Sequence, residues 1–331
     1  MTDADSTTPY SLADLEEAER LVRRFIPPTP AYAWPLLAQR YGATVVVKHE
    51  NHTPVGAFKV RGGVVYCERL KRERPHVKGV VSATRGNHGQ SLAFAGRAFG
   101  LPVAIVVPFG NSVEKNASMK ALGAELIEHG RDFDEARVEA ARIAEERGYE
   151  FVPSFHNDLV KGVSVYALEL FRDHPDIDRL YAPIGLGSGA CGLIHARDLL
   201  GLKTEIIGVV SENAAAYALS YEAGRVIETN SAATFADGMA VRGPSAEALR
   251  VIRRGAAGIV RVSDAHIAEA IRVLHEDTHN LAEGAGAASL AAFAADAPKL
   301  AGGKVGVILS GGNIDRAMTA EILSGRTPAV G

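Results

Sequence analysis

Cysteine is nearly absent from this sequence. The two that occur, Cys67 and Cys191, stand in no spaced metal-binding pattern. Two thiols in 331 residues exclude a disulfide-stapled scaffold and read as reduced cytosolic side chains. A basic excess is missing too: the formal net charge is −3 at pH 7, which excludes the electrostatic footprint of a nucleic-acid or anionic-membrane binder. No apolar run reaches the ~18 residues of a membrane helix, and Met1 to Thr8 is polar and acidic rather than signal-like. There is no repeat, low-complexity tract or linker. These absences leave a cytoplasmic globular chain, 47% hydrophobic and longer than one core usually organises, so two lobes are expected.

The hydrophobic pattern alternates between short apolar runs and amphipathic stretches. Ser11-Leu12-Ala13-Asp14 is a capping-box start for a helix to about Arg24, ended by Pro27, Pro28 and Pro30. A buried strand follows at 43–47 and a helix at 59–71. From 77 the rhythm is strand, helix, strand: strands at 79–82, 103–107 and 125–127, helices at 87–99, 113–122 and 132–147. It resumes with strands at 180–184, 205–210 and 304–309, among helices at 159–171, 189–200, 214–223, 245–253, 265–279 and 284–295. Fully apolar strands alternating with helices predict an α/β fold whose parallel sheets are covered on both faces. The expected division is a small domain over 77–153 inserted into a large one built from 1–76 and 154–331.

Four stretches carry chemistry. In Lys48 to Gly63 a polar run leaves a strand, turns at Pro54 and Gly56, and places Lys59 between Phe58 and Val60. A lysine is ordinarily a solvated surface residue. Held between apolar neighbours at a loop-to-helix junction, its pKa should fall, freeing the amine as nucleophile or base. Pro183 to Gly192 is a glycine cluster between strand and helix, where bare backbone amides can cradle a phosphate. Gly187, Gly189 and Gly192 also have dinucleotide-site spacing with Glu212 about 20 residues on, so a nicotinamide dehydrogenase stands as an alternative. Val81 to Gln90 is a second strand-to-helix switch. Thr84 or Asn87 there is either a helix cap or part of an amide cluster, residues 84 to 88, that holds a carboxylate. Ile308 to Asn313 ends the last strand, and Ser310 sits at the sheet edge where such folds bind ligands.

Lysine, phosphate cradle, asparagine and serine together describe a pyridoxal phosphate site. The chain resembles the fold-type II pyridoxal-phosphate enzymes, the tryptophan synthase β-like fold, and within them the threonine dehydratase and serine racemase group. The resemblance covers about Leu21 to Leu323. It rests on Pro54 to Gly63, Arg85 to Gln90, Pro183 to Gly192, Ala236 to Arg242, Glu283 to Ala287 and Ser310 to Asn313. It implies that Lys59 holds the cofactor covalently, that Phe58 flanks it and that Asn87 bonds its 3-oxygen. Gly185, Leu186, Gly187, Ser188 and Gly189 would grip the phosphate, Gly238 would line the ring, and Ser310 would face the pyridine nitrogen. Thr84, Arg85, Gly86, Asn87 and His88 form the implied substrate loop. The implied activity is α,β-elimination from a β-hydroxy-α-amino acid, giving a 2-oxo acid and ammonia. Racemisation, β-replacement and a catalytically dead regulator are the alternatives within the class, and a homodimer is the implied assembly.

The sequence departs from that pattern in three places. Arg85 falls where the dehydratases usually carry alanine and the racemases serine. A guanidinium cannot act as the racemases' acid/base, but it can meet an acidic or aryl β-substituent. Val210 and Ala216 stand where many relatives bind a divalent cation through acidic side chains, so no metal is expected, with Glu212 as the sole candidate substitute. The chain stops soon after Ser310, which predicts no regulatory domain and a catabolic role. His49, His52, His88 and His156 lie near the motifs without metal-ligand spacing. His88 is expected to pack or to bond backbone, and both cysteines to be small buried residues.

Overall fold

The computed structural model describes residues 8–329. Ten strands form two sheets. The strands are β1 (Ala31–Ala33), β2 (Thr44–His49), β3 (Val80–Ala83), β4 (Val103–Val107), β5 (Glu125–Glu128), β6 (Glu150–Phe151), β7 (Arg179–Pro183), β8 (Glu205–Ser211), β9 (Gly258–Val262) and β10 (Lys304–Leu309). The larger sheet has the order β1-β2-β10-β7-β8-β9 and the smaller β5-β4-β3-β6. Every pairing is parallel except β1 with β2. Buried apolar side chains explain this: β2, β4, β8 and β10 are covered on both faces, as parallel strands connected through helices must be.

All four strands of the smaller sheet lie between residues 80 and 151, and the larger sheet takes strands from before and after that interval. β10 pairs with β2 on one side and β7 on the other, so the two ends of the chain meet inside one sheet. The helices predicted from periodicity are present. Asn87–Phe99 matches its expected span, and Lys59–Glu73 runs two residues further than expected. Among the described strands and α-helices, five escaped the pattern: β1, β6, β9 and the helices Pro35–Tyr41 and Arg316–Leu323. Among the described residues no helix is long and apolar enough to cross a membrane.

At the end of β2, against the helices Lys59–Glu73 and Asn157–Asp173, lies a group of buried charges. Arg61 donates to Glu50 (Nε to Oε2, 2.8 Å) and to Glu169 (Nη1 to Oε1, 2.9 Å), while Lys48 Nζ donates to Glu169 Oε2 at 2.8 Å. Thr29 Oγ1 closes the set on Glu50 Oε1. Burial pushes the Glu169 carboxyl up, but Arg61 and Lys48 outweigh it and hold the pKa below its ordinary value. The network joins β2 to the helices Lys59–Glu73 and Asn157–Asp173 two residues after Lys59, and so fixes where that lysine's helix begins.

Candidate active site

Lys59 opens its helix with Phe58 as the uncapped residue before it. The Lys59 amine lies 5.1 Å from the centre of the Phe58 ring and makes no hydrogen bond or ion pair among the described residues. Burial lowers its pKa to about 8, against a smaller opposing pull from Glu283. An amine so placed is neutral in a useful fraction near physiological pH, the form that attacks an aldehyde or takes a proton.

The shift fixes a sign for stability. Between about 8 and the ordinary value of 10.5 the unfolded chain binds a proton at this lysine that the folded chain has released. Folding of the cofactor-free protein therefore gains from this group as pH rises through that window. Below it the buried charge costs at most about 3 kcal/mol. Urea titrations of the cofactor-free protein and its Lys59→Met variant should show the variant more stable at pH 7 and the gap closing toward pH 10.5. A gap independent of pH would contradict the assignment.

The Phe58 ring packs edge-on to Tyr166, 5.9 Å between centres. A Cβ on Gly189 would stand 3.5 Å from Phe58, so the lysine junction and the glycine loop after β7 are neighbours. Gly187 has φ +98°, a conformation that glycine reaches without strain, and it starts the helix Ser188–Leu199 with no side-chain cap. The first amides of that helix are left for a ligand. Gly185 passes so close to Gly238 that an added Cβ would fall 2.3 Å from the Gly238 carbonyl oxygen. Tyr217 anchors the loop from behind, its hydroxyl donating to the Leu186 carbonyl at 2.8 Å.

Asn87 begins the helix Asn87–Phe99 at the end of the smaller sheet, again with no side-chain cap. Its Nδ2 donates to Glu283 Oε1 at 2.7 Å. Thr84 is buried and its Oγ1 accepts from the Gly86 amide at 3.0 Å, shaping the turn before that helix. His88 is buried, and burial together with the Lys59 charge lowers its pKa to about 3. It is neutral, and a backbone hydrogen bond to Val152 holds it as packing rather than as an acid. Arg85 is exposed and lines a cavity of about 410 Å³ that also reaches Lys115, Asp237, Glu283 and Asn313. Ser310, directly after β10, is buried, and its hydroxyl has no protein partner among the described residues. The Phe58 amide donates to the Ser310 carbonyl at 3.1 Å, tying the lysine junction to the serine motif.

Glu283 was visible in the sequence only as part of a glycine-rich motif without a role. It is buried, its Oε2 has no hydrogen-bond partner, and Lys115 Nζ stands 3.8 Å away while bonding Asp237 at 2.5 Å. Burial raises the Glu283 pKa to about 7. Burial alone would lower the Lys115 pKa, but Asp237 and Glu283 raise it. Val210 and Ala216 are buried and apolar, and among the described residues no group of three or more His, Cys, Asp or Glu could hold a metal ion.

A half-buried amine, uncapped helix amides behind glycines, a free hydroxyl at a strand end and an asparagine amide form a donor set that fits pyridoxal phosphate. Comparison with known proteins agrees. The family described as pyridoxal-phosphate dependent enzyme matches residues 22–311. L-threonine ammonia-lyase of Thermotoga maritima is 33% identical over 315 residues, 95% of this chain and 78% of that protein. L-threo-3-hydroxyaspartate ammonia-lyase of Saccharomyces cerevisiae is 29% identical over 314 residues, covering 95% and 96%. The solved structure of maize serine racemase superposes with a TM-score of 0.88 at 26% identity, covering 95% and 97%. This chain belongs to the pyridoxal-phosphate dependent enzyme family, and pyridoxal 5'-phosphate is its cofactor. Within that family it is a fold-type II enzyme of the threonine dehydratase-like group. The nicotinamide reading of Gly187 to Gly192 falls away with this assignment.

Proposed function

We propose that the protein is an ammonia-lyase that eliminates the β-hydroxyl of a β-hydroxy-α-amino acid and yields a 2-oxo acid and ammonia. The observation that carries this reading is the unpaired Lys59 amine, with its pKa near 8, beside a glycine cradle. When bound, pyridoxal phosphate supplies an electron-withdrawing ring joined to the substrate nitrogen. Lys59 would hold it, and its free amine would take the proton from Cα. Gly185 to Gly189 would hold the phosphate with backbone amides, Gly238 would line the ring, and Asn87 would bond the 3-oxygen. Ser310 would present a neutral hydroxyl to the ring nitrogen. A hydroxyl does not protonate that nitrogen as a carboxylic acid would, which suits elimination over racemisation because the electron pair leaves with the β-hydroxyl. In net terms the α-proton and the β-hydroxyl would leave together as one water, Lys59 would hold the cofactor again, and the freed enamine would tautomerise and be hydrolysed by a second water to the 2-oxo acid and ammonia. The substrate carboxylate sits on the amides of Thr84 to His88.

Arg85 selects the β-substituent. The other two cavity cations are engaged, Lys115 by Asp237 and Arg131 by Glu135, while Arg85 has no ion pair among the described residues. An acidic substituent would pair with it, and an aryl one would stack on it less strongly. The yeast hydroxyaspartate enzyme's similarity supports the acidic choice. We expect Arg85→Ala to lower kcat/KM on hydroxyaspartate by about tenfold or more, the worth of a charge-assisted hydrogen bond, while threonine, serine and phenylserine lose much less. Oxo-acid formation across a panel of both stereoisomers measures it, and equal losses on all four substrates would remove the selecting role. The same reading carries a cytoplasmic homodimer with it, in keeping with two buried free cysteines and with Tyr32 and Leu36 exposed around the edge strand β1.

A further inference from the structure

Four separate motifs converge on one amide. Asn313 Nδ2 donates to Asn87 Oδ1 at 2.8 Å and to the Val55 carbonyl at 2.8 Å. Asn87 Nδ2 donates in turn to Glu283 Oε1 at 2.7 Å. An amide has a donor end and an acceptor end of nearly the same shape, so only its partners decide which way it faces. Here both ends are specified. Turning Asn87 over would set its oxygen against the Glu283 carboxylate and its NH2 against that of Asn313. Asn313 is itself fixed: Gly56 has φ +69°, and a Cβ there would fall 2.7 Å from Asn313 Oδ1. The Gly312 amide donates to the Gly56 carbonyl at 2.9 Å, and the Glu283 amide to the Gly311 carbonyl at 3.0 Å, so the backbones carrying these side chains are laced together.

We propose that Asn313 and Glu283 are positioning residues that lock the Asn87 side chain with one N–H spent on Glu283 and the other turned toward the ring oxygen of the bound cofactor. This rests on the pyridoxal-phosphate reading of Asn87 and adds the pair that orients it. It accounts for the asparagine in the serine motif, for the glutamate that opens the helix Gly284–Asp296, and for the glycine at position 56 in the lysine loop. Either protonation state of Glu283 serves, because a proton on the unpartnered Oε2 leaves Oε1 free to accept.

The test uses the holoenzyme and reads the cofactor's visible absorbance maximum and its dissociation constant, with thermal melts as the folding control. Asn313→Asp replaces a donor by an acceptor and should turn the Asn87 amide; Glu283→Ala removes the acceptor. Both are expected to shift the absorbance maximum and weaken cofactor binding by about tenfold, the worth of one hydrogen bond to a charged group. Glu283→Gln, which retains an acceptor oxygen, should keep the wild-type maximum. Should Asn313→Asp fold poorly, Asn313→Ala gives the same readout without the added charge. Wild-type absorbance in the first two variants, or loss of it in Glu283→Gln as severe as in Glu283→Ala, overturns the proposal. A wild-type protein with no visible band at all would instead overturn the cofactor assignments on which it rests.

Discussion

Replacing Lys59 by alanine should abolish the visible absorbance of the purified protein, its reduction by borohydride, and oxo-acid production together. The loss of turnover should be at least ~10³-fold, the scale seen when a group that both binds covalently and moves a proton is removed. Geometry makes the prediction sharp. No other lysine shares the position: Lys115 is committed to Asp237, and Lys48 is bonded to Glu169 and the Thr29 carbonyl. Cofactor held by the glycine cradle alone could still bind weakly, so absence of the borohydride adduct is the more direct measurement. A coloured, reducible Lys59→Ala protein would mean that another amine carries the cofactor.

Arg61→Ala carries the other large expected effect, on stability rather than chemistry. Arg61 is fully buried and satisfies both Glu50 and Glu169. Its removal would leave two buried carboxylates facing a single lysine. Breaking a buried ion network from one side costs about 3–5 kcal/mol, because the stranded charge has lost its partner and cannot recover its water. The deficit should shrink on acidification. Without Arg61 the stranded carboxylates have raised pKa values, so they cost stability while ionised and cease to do so once protonated. Urea unfolding at two pH values measures both parts. A deficit under about 1 kcal/mol, the worth of an exposed ion pair, would show that the network is not sealed from water.

Much of the fold could be read in advance because its strands are buried on both faces. Val103–Val107 is apolar throughout and Lys304–Leu309 is apolar after its first residue, and their spans were recognised residue for residue. The missed strands are those that lack this signature. β1 has three residues and is half exposed, β6 has only two, and β9 carries Arg261 in an edge position. At the site, Lys59, the glycine loop and Ser310 announced themselves through unusual local composition. Glu283 and Asn313 did not, because their meaning lies in partners about 200 and 226 residues away. Arg61 and Glu169 were equally silent. In sequence a buried ion network looks like four ordinary surface charges, and only the pairing of distant segments distinguishes them.

The central place of β10 in the larger sheet has a consequence for biosynthesis. A ribosome releases the whole smaller sheet by residue 151, whereas the larger one stays open between β2 and β7 until residues 304–309 emerge. Throughout that interval the edges of two apolar parallel strands have no neighbour, and such edges invite pairing with other chains. The Lys59 amine, synthesised early, thus waits for nearly the full polypeptide before its surroundings are complete.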